Sequence, residues 1–124
     1  RFQALDDRVI VYGPRDTIAR GGTIAFNVIR HGRLVDYETI EREARDRRVA
    51  VRGGCFCNPG AAEHAFRLDP DKTADCLKGP FRIDRFRRCL GGAPVGALRA
   101  SIGLATTEGD LDRLLALVTE TASL

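Results

Sequence analysis

Residues 23–29 restrict the fold more than any other stretch of this chain. Thr23-Ile24-Ala25-Phe26-Asn27-Val28-Ile29 puts Ile24, Phe26 and Val28 on one side of an extended backbone and Thr23, Ala25 and Asn27 on the other. A period of two is the pattern of a strand with one buried face, and it follows a Gly21-Gly22 break. A second run, Gly96-Ala97-Leu98-Arg99-Ala100-Ser101-Ile102-Gly103-Leu104, reads the same way. It turns Leu98, Ala100, Ile102 and Leu104 to the core and Arg99 to the opposite side, among the small residues Ala97, Ser101 and Gly103. A third strand, Asp7 to Tyr12, stops at Gly13-Pro14, and the polar stretch Arg15 to Arg20 reads as a hairpin loop to the Thr23 strand.

Helices fill the intervals. Asp36 is placed to cap a helix running to about Arg48, with Tyr37, Ile40, Ala44 and Arg47 along one stripe. Val49 to Arg52 reads as a short strand and Pro59 to Leu68 as a short helix. Asp69 to Pro80 reads as a polar connector, and Phe81 to Cys89 as a basic helical stretch. Thr106 or Thr107 caps a closing helix whose Leu111, Leu114, Leu115 and Val118 follow i, i+3, i+4, i+7 spacing. Residues 1–5 look like the tail of a helix that begins elsewhere, and the chain reads as part of a longer polypeptide. The resulting class is α+β, a mostly antiparallel sheet with helices packed on one face.

Composition excludes several functions. The 124 residues suit one domain, and 20 Lys+Arg stand against 17 Asp+Glu with the signs interleaved. No concentrated basic stripe exists for phosphate, so a nucleic-acid partner is not expected. No apolar run approaches the roughly 20 residues that span a bilayer, so no membrane association is expected either. The four cysteines sit in a chain long enough to build its own core and without a signal peptide. Reduced thiols in the cytoplasm are the expectation.

Two positions carry candidate chemistry. Arg52-Gly53-Gly54-Cys55-Phe56-Cys57-Asn58-Pro59-Gly60 sets a cysteine pair between glycines and a helix start, with Asn58 as N-cap and Pro59 at the first helical position. Cys57 then stands at the positive end of a helix, where a thiolate is stabilised, and is the candidate nucleophile. Cys55 is either an auxiliary, resolving thiol or a packing residue. Arg99, with space around it, suits bidentate capture of a carboxylate or phosphate. The rival reading for the cysteines is tetrahedral zinc held by Cys55, Cys57, Cys76 and Cys89 with His64. Only one close pair exists, however, and Cys76 and Cys89 stand apart without knuckle glycines, so no metal is expected. His31, beside Gly32 in a turn, is expected to be exposed and uninvolved. Another alternative is a stand-alone thiol carrier that accepts sulfur on Cys57.

Taken in order, these motifs resemble a known family. Val51 to Ala61, with Gly53-Gly54-Cys55-Phe56-Cys57-Asn58-Pro59-Gly60 at its centre, resembles the cysteine loop of molybdenum cofactor sulfurases. More broadly it resembles the class V aminotransferase family that includes cysteine desulfurases and selenocysteine lyases. Gly96 to Gly103 resembles the family's substrate-arginine strand, and Asp110-Leu111-Asp112-Arg113-Leu114 its closing helix. Tyr12-Gly13-Pro14 and Arg20 to Phe26 fit in register. Ala62 stands where molybdenum cofactor sulfurases often carry another cysteine, which leaves a generic desulfurase equally open.

The resemblance implies that residues 1–124 are the C-terminal small domain of a fold-type I pyridoxal 5'-phosphate enzyme whose large, N-terminal cofactor domain is absent. It implies that Cys57 takes sulfur from L-cysteine as a persulfide and that Arg99 binds the substrate carboxylate. It further implies no cofactor-binding residue in this chain, no activity of the chain alone, a homodimer in the full-length enzyme, and a sulfur acceptor of unknown identity.

Overall fold

The computed structural model describes the chain apart from residues 1–4, 6, 15, 56–58 and 93. The expected opening helix therefore falls almost wholly outside the described residues.

Strand β1 (Val9–Tyr12) pairs antiparallel with β2 (Thr23–Arg30), Val9 facing Val28 and Tyr12 facing Ala25. At His31-Gly32 both residues take positive φ, 52° and 73°, the geometry that folds a two-residue hairpin with the sheet's own twist. The chain returns as the two-residue β3 (Arg33–Leu34), with Ile29 opposite Leu34. Helix α1 (Tyr37–Asp46) and strand β4 (Arg52–Gly54) follow. Then come α2 (Pro59–Phe66), α3 (Pro70–Cys76) and α4 (Ile83–Cys89). Strand β5 (Ala97–Ser101) and helix α5 (Glu108–Ser123) close the chain. β5 lies antiparallel beside β2, with Phe26 opposite Leu98 and Thr23 opposite Ser101. Among the described residues the sheet has five strands in the order β1-β2-β5-β4, with β3 on β2. The expected α+β class is what the chain adopts.

Two compact units result, one from residues 1–53 with 97–124 and the other from 54–96. The sheet unit buries the face that the alternation predicted. Phe26, Val28 and Leu98 from the strands, Ile40 from α1 and Leu117 and Val118 from α5 are at most 1% exposed. Burying each such side chain stabilises the fold by roughly 1.5–3 kcal/mol. The two helices are also joined by polar contacts. The buried Thr121 hydroxyl donates to Glu43 Oε2 at 2.7 Å, and Arg47 pairs with Glu120. α5 begins on a capping box. Thr107 Oγ1 accepts from the Asp110 N–H at 3.3 Å, and Asp110 Oδ2 accepts from the Thr107 N–H at 2.8 Å.

The helical unit is built differently. Asp69 caps α3 by accepting from the N–H groups of Asp71 and Lys72, with Pro70 in the first turn. Thr73 and Cys76 are buried, whereas α4 buries none of its residues. Cys76 and Cys89, at the ends of α3 and α4, form a disulfide with a Cα separation of 5.7 Å.

Four expectations change. The stretch from Asp69 was read as a connector, yet its first turns form α3, started by the Asp69-Pro70 cap. The strand placed at 49–52 begins only at Arg52. Arg48, at φ 56°, ends α1 in a left-handed cap in which the Val49 N–H returns to the Ala44 carbonyl at 2.8 Å. Leu104 does not face the core. β5 ends at Ser101, leaving Leu104 fully exposed and Ile102 46% exposed. Cys76 and Cys89 are not separate reduced thiols, because the turn between α3 and α4 brings them together.

Asp110, held below its ordinary pKa first by the Thr107 backbone N–H and then by the Thr107 hydroxyl, stays ionised until the pH falls through that lowered value. Its capping contribution is present above the ordinary carboxylate pKa and lost on acidification. Thr107→Ala should cost about 1 kcal/mol in urea unfolding at neutral pH. That difference should shrink as the solution becomes acidic; a pH-independent difference would contradict the box.

Candidate functional site

Because side chains alternate along a strand and opposite residues share a face, the register fixes what surrounds Arg99. Arg99 lies directly across from Ala25, and Ala25 directly across from Tyr12. The row Tyr12-Ala25-Arg99 therefore runs across three strands on the face away from the core. One step along the strands, Thr23 faces Ser101, and their hydroxyl oxygens are 3.3 Å apart. Arg99, Thr23 and Ser101 are exposed, while Asn27 and Ala97, farther along the same face, are buried. The expectation that Arg99 stands away from the core among small residues holds. The result is a guanidinium in an exposed position with two hydroxyls nearby and the small Ala25 opposite it on β2, a set suited to a carboxylate.

Tyr12, Thr23 and Asn27 were assigned to strands without any role at the site. What brings them beside Arg99 is the cross-strand register, and their outward parity was the one signal in the sequence. Burial pushes the Tyr12 phenol up to about 12, so it is a neutral, protonated group at ordinary pH.

The cysteine loop leaves the sheet through β4. Gly53 lies on the ring of buried Tyr37. A Cβ added there would meet the ring carbons, with Tyr37 Cγ at 2.9 Å and Glu41 Cδ at 3.1 Å. The Gly53 N–H donates to Glu41 Oε1 at 2.6 Å. Gly54, at φ 153°, adopts a backbone angle that favours glycine. The two glycines thus serve close packing and backbone geometry. Cys55 follows and is exposed. Cys57, the expected nucleophile, and Asn58, the expected N-cap, lie outside the described residues.

The zinc alternative loses two of its ligands, since Cys76 and Cys89 are bonded to each other. Among the described residues no group of three or more His, Cys, Asp or Glu side chains is arranged to hold a metal. His31 and His64 are both exposed. Among the described residues, no helix is long and apolar enough to cross a membrane.

Similarity to relatives along most of its length defines the class: this chain is a sulfurase-like domain. The relatives in question are molybdenum cofactor sulfurases. The chain is 41% identical over 107 residues to that of Drosophila mojavensis and 39% identical over 105 residues to that of Drosophila grimshawi. It is 31% identical over 104 residues to molybdenum cofactor sulfurase 2 of Culex quinquefasciatus. Each match covers 83% of this chain and 14% of the relative, so the chain spans about one-seventh of the length of these curated relatives. No protein-family model and no solved structure matches it.

Two outcomes check this geometry. Gly53→Ala should destabilise the sheet unit by roughly 1–3 kcal/mol, the range for forcing a methyl group into a packed site. A thermal melt that leaves the midpoint unchanged would contradict the Tyr37 contact. In an alkaline absorbance titration, a phenolate transition near 12 should be present and should vanish in Tyr12→Phe. Since the unfolded phenol ionises near 10, stability should fall as pH rises from there towards the folded value. A Tyr12 midpoint near 10 would overturn the burial argument.

Proposed function

We propose that this chain supplies the thiol and the carboxylate-binding arginine of a pyridoxal-phosphate-dependent sulfur transferase acting on L-cysteine. The observation that carries this reading is Arg99, exposed on the non-core face opposite Ala25 and beside the Thr23–Ser101 hydroxyl pair. Homology to molybdenum cofactor sulfurases over 83% of the chain supports it. In this reading the enzyme works in the cytoplasm as a homodimer.

The chain's own residues do not fit the cofactor. A Schiff base needs a lysine whose ammonium is desolvated or otherwise pushed to lose its proton. The chain's two lysines, Lys72 and Lys78, are both exposed, and Lys78 is paired with Asp75 at 2.6 Å. Holding the cofactor falls to residues outside this chain, and sulfur transfer here reduces to what two groups do. The Arg99 guanidinium takes the substrate carboxylate through paired N–H donors and fixes its orientation. The Cys57 thiolate attacks the substrate sulfur. An S–S bond would form as the substrate's C–S bond breaks, and the electron pair of that bond would stay with the substrate carbon, stabilised by the electron sink that a cofactor held outside this chain would supply. Protonation of the carbon gives alanine and leaves a persulfide on Cys57.

In the full-length enzyme, Cys57→Ala should abolish the one-sulfur mass increase on the loop peptide after incubation with L-cysteine. Arg99→Ala should raise KM about 10- to 100-fold, the equivalent of one charge-assisted contact, with a smaller change in kcat. A Cys57 variant that still transfers sulfur would refute the nucleophile. An unchanged KM in the Arg99 variant would refute the carboxylate site.

A further inference from the structure

The feature that this function leaves unused is the Cys76–Cys89 disulfide. It joins the last residue of α3 to the last residue of α4 across 13 positions of sequence. Its environment is unlike that of the sheet unit. α3 and α4 have seven residues each, and α4 buries none of them. In isolation helices this short do not hold in water, where about 12–15 residues are marginal.

Around the link, several of the described contacts lie at the surface. Phe81, 60% exposed, meets Phe86 with ring centroids 5.8 Å apart. Lys78 pairs with Asp75 at the surface, and Arg85 Nη2 donates to the Lys78 carbonyl at 3.1 Å. Exposed ion pairs of this kind contribute little. The covalent link is thus a restraint between α3 and α4 that adds to these surface contacts. It is also asymmetric, because Cys76 is buried at 7% exposure while Cys89 is exposed.

We propose that Cys76 and Cys89 form a reversible redox pair, in which oxidation fixes the α3–α4 segment and reduction releases it. The reductant is a dithiol. Its thiolate attacks the sulfur of exposed Cys89, the Cys76–Cys89 bond breaks, and Cys76 leaves as a thiolate that takes a proton. The second thiol of the reductant then attacks the mixed disulfide and frees Cys89. Two electrons and two protons pass to the cysteine pair, and the dithiol becomes a disulfide. The reverse reaction uses a disulfide oxidant. Because Cys55 belongs to the same unit, residues 54–96, the redox state sets how firmly the unit that carries the cysteine loop is held together. This inference does not depend on the roles given to Cys57 and Arg99.

The test equilibrates the full-length protein in buffers spanning reduced to oxidised dithiothreitol. Thiols are trapped by alkylation and read by peptide mass spectrometry, and amide hydrogen exchange is measured on the same samples. Cys76 and Cys89 should become alkylated together in one two-electron transition. On reduction, amides of residues 70–90 should exchange about tenfold faster or more, while strands 23–30 and 97–101 keep their protection. Cys76→Ser/Cys89→Ser should exchange like the reduced protein in every buffer. If that variant does not fold, the wild-type series alone decides. Complete alkylation of both cysteines in the oxidising buffer would overturn the proposal, as would unchanged exchange at 70–90 on reduction.

Discussion

The pairing of β2 with β5 holds the sheet unit together and orients its outer face. Phe26 and Leu98 meet across that pair and are fully buried. Helices α1 and α5 close over the same face with Ile40, Leu117 and Val118. A strand shows its two faces in strict alternation, so burying Phe26 and Leu98 settles the other side as well. Arg99 must point away from the core, Ala25 must lie opposite it, and the Thr23 and Ser101 hydroxyls must meet one step along. A slip of one residue in this register would bury the arginine and expose the core.

Much of this was legible in residues 23–29 and 97–101, because alternation is a local property. The two central strands, the outward Arg99 and the capped closing helix could all be read without a structure, whereas the two-residue β3 could not. Where strands end was harder to see. Continuing the parity of β5 put Ile102 and Leu104 in the core, although the strand stops at Ser101 and Leu104 is wholly exposed. Parity carries no information about where hydrogen bonding ceases. Helix α3 was missed because it is short and polar and has no apolar stripe, although Asp69-Pro70 was a usable start signal.

Long-range partners left the least trace. Nothing in the spacing of Cys76 and Cys89 says that they bond, since connectivity depends on how α3 and α4 fold back. Tyr12 likewise reaches the row of Arg99 only through two successive strand registers. The glycines before the cysteine loop are legible as special positions, but the contact that requires one of them is not local. Gly53 is confined between the Tyr37 ring and the Glu41 carboxylate, so the loop starts from a rigid edge.

The chain passes from β4 to its sheet neighbour β5 only after the whole helical unit, residues 54–96. In polymer terms that unit is a loop closed by the sheet. The entropy of closing a flexible loop grows only logarithmically, about 0.6 kcal/mol for each doubling of length. Changing the length of the insertion therefore changes that closure entropy only slightly. Order of synthesis matters more: β5 emerges last among the strands, so the central pair cannot form until the ribosome has finished the insertion. The sheet unit is therefore finished late.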